Sequence, residues 1–569
     1  MSMTVTDVRA SLGVRTPLRM GIVWLAMWLS VSSYPSTALA QGEVLDDPTP
    51  TTTDSFGRAV AMDGNHLLIG APSHEIGGEN IGQAHLFDAT TGAVLRTFDD
   101  PSPTGDQPLG RFAGSVAIDG HYVLIGDAEH DDLPDVFDVG EAYLFDATTG
   151  DLLCSFDDPA PNPGGFDEFG FAVAIDGDNV LIGAPGHRID GLAVGHAYLF
   201  DAVTCGLLET LVQPLPMGEA SYSNIHRFGS SVAIDGNRVL IGAPSSFSVG
   251  STLGQAHLFD MDGTLQQTWI GPANPPSFAH SFFGDALDLD GDHVLIAAPT
   301  FVRTAGEGED EETGSVGRVF LYDAVSGGLL HTLDDPTPTP RTDINVDPFG
   351  DRFGGSVAIE GDNILIGAFG DNTHGQNVGQ AHLFETASGD LLQTFDDPTV
   401  TTQDDFGLAV AINGTTVLIG APGDDSNGFN IGQAHLIPID SDGDGLPDDM
   451  DPHPDDDDSD DDGIPDGQDP DTVGEAVDGL PPGVFDNQGD PNGQRNAVLA
   501  QLEAIEQLIL DGDIAGALTK LNNLRKKVDG CPDLPVAGEM ADNNDWIIDC
   551  DSQREIRELI DLLIANLGG

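Results

Sequence analysis

Lysine is almost absent from this chain of 569 residues: Lys520, Lys526 and Lys527 are the only three. With 95 Asp and Glu against 20 Lys and Arg, the formal net charge is −75. A field of that sign repels nucleic acid and anionic membranes and attracts divalent cations. No nucleic acid is expected among the partners. Long apolar runs are also missing apart from Met20 to Val31, which is short for a bilayer span, so no transmembrane anchor is expected. Catalytic signatures are lacking: there is no His-Glu-x-x-His pair, no Gly-x-Ser-x-Gly elbow and no phosphate-cradling glycine loop. Carboxylates are so abundant that no acid–base pair stands out, and the chain reads as a non-enzyme.

What the chain has is repetition. A Phe-Gly step (Phe-Ala at Phe112), a turn of the Asp-Gly type, a step of the Gly-Ala-Pro type and a strand of the Ala-His-Leu-Phe type recur together seven times, with anchors at Phe56, Phe112, Phe169, Phe228, Phe283, Phe353 and Phe406. Self-similarity at about 50–60 residues marks supersecondary units that bury their faces only by stacking. Within one unit, Ala59 to Met62 and His66 to Ile69 are apolar runs separated by Asp63-Gly64-Asn65, a hairpin signal. A looser segment leads to a third strand, Ala84 to Phe87, and Thr91-Gly92 opens a fourth, Val94 to Phe98. Four antiparallel strands make one propeller blade. The seventh unit stops at its third strand, Ala434 to Ile437. Val44 to Pro48 matches the end of a fourth strand, Thr394 to Pro398, so the N-terminal segment is expected to complete the last blade. That would remove an exposed sheet edge. The pattern from Gln41 to Ile437 resembles the FG-GAP repeats of bacterial secreted proteins and, more distantly, the integrin α-subunit propeller. It departs from integrin-type repeats in having a bare Asp-Gly turn where those often carry a calcium loop, so that resemblance implies no calcium inside the blades.

The first forty residues read as a processing segment. Arg9, Arg15 and Arg19 precede the apolar stretch, and Ala38-Leu39-Ala40 offers a small-x-small site. A Sec signal peptide cut between Ala40 and Gln41 is expected, with the mature chain secreted or at the cell surface. In that compartment the four cysteines allow three pairings. Cys531 and Cys550 bracket one loop, which favours a local disulfide. Cys154 and Cys205 lie in successive repeats and either bridge neighbouring blades or remain buried thiols.

After the repeats comes the densest acidic segment, with sixteen aspartates between Asp440 and Asp471 and no Lys or Arg. Asp440, Asp442, Asp444, Asp448 and Asp451 occupy positions one, three, five, nine and twelve of a loop whose sixth residue is Gly445. Leu446 would offer its carbonyl at position seven. The register returns in Asp458, Asp460, Asp462, Ile464, Asp466 and Asp469, with Gly463 at position six. Such spacing wraps oxygens around a hard cation, and Ca²⁺ takes six to eight of them at about 2.3–2.6 Å. A merely solvated acidic linker would not repeat register and glycine twice. The segment resembles thrombospondin type 3 repeats, without that family's usual cysteine pair, and the expected cofactor is Ca²⁺ coupled to folding of the segment.

Beyond a Pro/Gly-rich linker, Val498, Leu499, Leu502, Ile505, Leu508 and Ile509 mark one amphipathic helix. Asp513 caps a second carrying Ile514, Leu518, Leu521, Leu524 and Val528, and Ser552 starts a third through Ile564. The end resembles the FIMAH-type helical modules of secreted prokaryotic proteins. Histidines at matching third-strand positions, His85, His257, His382 and His435, are read as packing residues, because Phe320 stands at the same place in another repeat.

The chain therefore reads as mainly β. It comprises a signal peptide (1–40), a seven-bladed propeller (41–437), calcium-binding repeats (438–471), a linker (472–493) and an α-helical domain (494–569). The function expected is calcium-binding recognition or adhesion, with an extracellular protein or glycan held on the long-loop face of the propeller. The long stretches Thr300 to Val316 and Pro336 to Arg352, carrying Arg303, Arg341 and Arg352, mark that surface. The alternatives are an extracellular hydrolase, whose polar residues would converge on one mouth of the channel, and a lectin-like propeller.

Overall fold

The computed structural model describes residues 42–103, 112–130, 138–163, 165–189, 192–214, 227–244, 253–272, 281–303, 314–339, 350–441, 447–448, 473, 477, 491–510 and 514–525, and all of 556–567 except 558, 561 and 565. Among them the backbone forms seven four-stranded antiparallel sheets. The first follows chain order through Ala59–Asp63, His66–Ala71, Gln83–Asp88 and Val94–Asp99. Five more repeat that order. The last sheet holds Ala409–Asn413, Thr416–Ala421 and Gln433–Pro438, and its outer strand is Glu43–Asp46, with Val44 opposite His435. First strands neighbour first strands all the way round, the seventh lying beside the first, so the sheets stand as blades about one axis. This is a mainly β, seven-bladed propeller.

Sequence explains the layering. Second and third strands are covered on both faces, which is why they read as unbroken apolar runs such as Leu67-Leu68-Ile69. Fourth strands lie outermost and bury little more than one apolar side chain each, Phe98 in the first blade and Leu211 in the third. Each apolar cluster of the propeller is shared by two blades. Leu68 and Phe98 meet Val123 and Phe145 across one seam, and Leu45, Phe56 and Leu67 meet Leu418 and Leu436 across the last. No blade has a core to itself.

The Phe-Gly step locks six of the seven seams, Phe112-Ala113 taking its place in blade two. Phe56 is fully buried and its amide donates to the Ile431 carbonyl at 2.8 Å. Gly57 follows with φ +88°, and a Cβ there would run into the carbonyl oxygen of Gln433. Gly432, at φ +84°, faces the Phe56 carbonyl in the same way. Only glycine allows both approaches.

The hairpin tips are joined as well. The Asp63 carboxylate accepts from the Gly120 amide of the next blade at 2.6 Å, Asp176 from Gly236 at 2.6 Å and Asp235 from Gly291 at 2.7 Å. Asp290 and Glu360 accept from Gly361 and Gly414, each at 2.7 Å. A disulfide between Cys154, in the fourth strand of blade two, and Cys205, in the last turn of blade three, adds a covalent tie between neighbours.

Separately, helices Pro491–Leu510 and Ile514–Arg525 contribute Val498, Leu502, Ile505, Ala517, Leu521 and Leu524 to one core with Ile556, Leu559, Ile560 and Leu563. Pro491 opens its helix where the missing N–H costs nothing, and Arg525 sits in a last turn that favours a cation.

Candidate functional site

Where the chain passes from one blade to the next, it draws carboxylates together. At four seams the link leaving a fourth strand carries Asp-Asp-Pro, the entry to the next blade carries Asp two residues before its Phe, and the link after the second strand carries His or Asp; at the one–two seam Asp127, the last residue of a second strand, stands in for the entry Asp. At five of the seven seams these converge, as Asp47, Asp54 and His74; Asp100, Asp127 and His130; Asp158, Asp167 and His187; Asp335, Asp351 and Asp371; and Asp397, Asp404 and Asp424. One ligand atom from each residue of a group lies within 4.8 Å of the others, and all but Asp100 are buried. These acidic clusters are able to hold a metal ion. At the other two seams the Asp pair is replaced by Val212-Gln213 and Ile270-Gly271.

Burial dominates their electrostatics. It pushes the Asp47 carboxyl up to about 6 and the Asp397 carboxyl up to about 7, in each case against an amide hydrogen bond from Thr49 or Thr399. Neighbouring carboxylates, Asp54 and Asp404, push the same way. Burial pulls His130 down, but Asp127 and Glu141 outweigh it and lift that imidazole to about 9.

A second feature lies on the axis. The residues two after each Phe anchor, Arg58, Gly114, Phe171, Ser230, Asp285, Gly355 and Leu408, share a funnel of about 860 Å³ that opens among the links following the second strands. Arg227 and Arg352 line it too, so three of the ten arginines between residues 42 and 437 gather at one mouth. The Arg227 guanidinium lies 5.4 Å from the Phe171 ring centre and bonds Glu168 at 2.7 Å; Arg352 lies 4.7 Å from the Phe369 ring centre. Asp285 keeps an exposed surface and Asp405 is half-buried, yet the protein packed around them displaces enough water to push both carboxyls up to about 6, against Arg227 and Arg352 for the first and Arg352 and Arg58 for the second.

Among the described residues, the one before each Phe anchor adopts a left-handed backbone at six blades. Ser55, Glu168, Arg227, Phe282, Arg352 and Asp405 have φ between 51° and 57°. Glycine would hold that conformation without strain, whereas a side chain costs on the order of 1–3 kcal/mol there. Four of these, Ser55, Arg227, Phe282 and Arg352, line the funnel instead.

The residues expected to bind calcium are described only at Asp440 and Asp448. The Asp448 carboxylate accepts from the Ser441 amide and hydroxyl, each at 2.8 Å, which folds the start of the segment back on itself. Asp442, Asp444, Leu446, Asp451, Asp458, Asp460, Asp462, Ile464, Asp466 and Asp469 lie outside the described residues, as do Cys531, Cys550, Ala40, Gln41, Arg341 and most of both long loops. Among the described residues no helix is long and apolar enough to cross a membrane. The third-strand histidines are buried; His85, His257 and His382 pair with Thr97, Thr268 and Thr394 at 3.0–3.1 Å. The seam clusters are not among the sites expected from sequence, although an Asp two residues before the Phe recurs at Phe56, Phe169, Phe353 and Phe406, and a His or Asp recurs after the second strand at His74, His187, Asp371 and Asp424.

A family profile described as FG-GAP repeat matches residues 49–87, 160–200, 223–259, 348–384 and 398–437. Five of the seven blades thus carry FG-GAP repeats, and the two blades without a match carry the same four-stranded sheet. No curated protein matches the chain.

Proposed function

We propose that this is a secreted or cell-surface recognition protein, an adhesion scaffold in which the N-terminal strand holds the ring shut and Ca²⁺ orders the Asp440–Asp469 segment into a stalk. The observation that carries the reading is the funnel. In a chain of net charge −75, one enclosed mouth presents Arg58, Arg227 and Arg352 beside aromatic rings. A pocket of this size with few convergent polar groups fits ligand binding. Its arginines favour an anionic group, a carboxylate or sulfate borne by an extracellular glycan or protein. The FG-GAP propeller is consistent with such a scaffold.

Binding of wild type and an Arg227→Ala/Arg352→Ala variant to arrayed acidic glycans and matrix proteins, with and without calcium, tests this. Loss of binding by the variant at an unchanged melting temperature supports it. Equal binding by both proteins rejects the funnel as the site. An extracellular hydrolase is the second reading, favoured by Asp285, which lines that mouth and whose carboxyl stands near 6. Release of cleaved product from a bound ligand, abolished by Asp285→Asn, would select it.

A further inference from the structure

At the seam between blades six and seven, Asp397, Asp404 and Asp424 are 3 %, 0 % and 0 % exposed. The donors that reach them are neutral. The Thr399 amide serves Asp397, the Thr401 amide and hydroxyl serve Asp404, and the Ser426 amide and hydroxyl serve Asp424. Asp397 Oδ2 is buried with no hydrogen-bond partner. The Thr399 hydroxyl has a single proton yet faces three acceptors, Asp397 Oδ1 at 3.0 Å, Asp424 Oδ2 at 3.2 Å and Gln433 Oε1 at 2.9 Å. Gln433 cannot turn its amide to relieve this, because its nitrogen is held by Asp46 Oδ1 at 2.7 Å. Acceptors outnumber donors, and burying such charge without a counterion is costly.

The seam between blades five and six has the same composition. Asp335, Asp351 and Asp371 converge, and Asp371 Oδ2 is buried without a partner. Thr337 Oγ1 lies 2.7 Å from Gln380 Oε1, whose amide nitrogen is held by Asp396 at 2.6 Å. Buried oxygens of this density, with neither thiolate nor imidazole, suit a hard divalent cation.

Two other seams show what takes the ion's place. His74 Nδ1 lies 3.5 Å from Asp54 and His187 Nδ1 3.2 Å from Asp167. The backbone at His74, His187, Asp371 and Asp424 is the same. Each amide donates to the Ala three residues earlier, and each carbonyl accepts from the Gly that precedes the third strand. An imidazole therefore fits where Asp424 stands, and what differs is charge.

We propose that the five–six and six–seven seams each bind one Ca²⁺-type ion through Asp335, Asp351 and Asp371 and through Asp397, Asp404 and Asp424, while His74 and His187 supply the positive charge at the seven–one and two–three seams. These ions clamp blade to blade, independently of the Asp440–Asp469 loops and of any ligand in the funnel. A ligand of the folded state alone stabilises it by mass action.

The test uses the full chain and Ca²⁺ as the probe. Bound calcium is counted by native mass spectrometry, and propeller melting is followed with calcium or with chelator. The Asp371→His/Asp424→His variant is expected to bind two ions fewer than wild type. Its propeller melting should no longer respond to calcium, while an Asp444→Ala/Asp462→Ala variant keeps the wild-type propeller response. If the histidine variant does not fold, Asp424→Asn alone should weaken one site at least about ten-fold. Wild-type stoichiometry and an unaltered calcium response in both Asp424 variants would overturn the proposal, whatever the loop variant does.

Discussion

Asn413 donates from its side-chain amide to the Gly64 carbonyl at 3.2 Å, across the seam where blade seven meets blade one. Elsewhere around the ring the acidic residue of one Asp-Gly or Glu-Gly turn accepts from the next turn's glycine amide. At the last step the contact reverses direction and uses a neutral residue. That seam depends instead on the Glu43–Asp46 strand and the Phe56–Gly57 step.

Removal of residues 41–48 takes away the outer strand of blade seven, together with Leu45, which is 2 % exposed. The truncated chain is expected to aggregate or to lose cooperative melting, because a paired edge becomes an open one. A monomer with an unchanged transition in light scattering and calorimetry would refute this.

Two glycines of positive φ separate geometry from crowding. Gly57→Ala combines left-handed strain with a collision against the Gln433 carbonyl, and should cost at least about 2 kcal/mol. Gly120, at φ +56° with nothing within 4 Å of a Cβ, should cost only about 1 kcal/mol on the same change. Denaturant melts of the two variants check the order, and equal losses would count against the interlock.

Only part of this interlock is legible in the sequence. Asp-Gly pairs announce hairpins, since glycine accepts positive φ, but nothing local to Asp63 says that its carboxylate is needed by Gly120 a blade away. The repeat reveals the fold for the same reason that it hides the seam clusters. Asp397, Asp404 and Asp424 each look like ordinary turn residues, and only stacking brings them within 4.8 Å. The dense aspartate run beyond Ile437 draws the calcium reading because its ligands are contiguous. Residue type is equally hard to weigh at the funnel, where Arg58 and Arg352 sit beside invariable-looking Phe-Gly steps and become neighbours only around the axis.

The Cys154–Cys205 tie has a sequence separation of 51 and joins two blades. Cys205→Ser should destabilise the propeller by about 2–4 kcal/mol under oxidising conditions and make its melting insensitive to reductant. A wild-type protein whose melting ignores reductant would contradict this.

Buried histidines set an acid limit. Burial lowers His382 from 6.5 to about 3 and His435 from 6.5 to about 4. The unfolded chain takes up these protons near pH 6.5 and the folded chain refuses them, so their contribution is complete above 6.5 and fades as pH falls toward 4. His382→Phe/His435→Phe, which copies Phe320 at the equivalent position, should flatten the pH dependence of melting between 6.5 and 4. An unaltered slope would assign that dependence to other groups.

The pairing of Glu43–Asp46 with Gln433–Pro438 also imposes an order in time. Asp46 and Gln433, which bond at 2.7 Å, are 387 residues apart. A chain that emerges from its amino end must therefore carry its first strand unpaired until almost the entire ring has been made. Contacts of such separation are slow to form and leave intermediates open to association. The six preceding seams can assemble as each blade arrives, but the last waits for both ends of the propeller. The lifetime of that nearly finished ring, rather than the strength of any single blade, then governs how much chain reaches the native state.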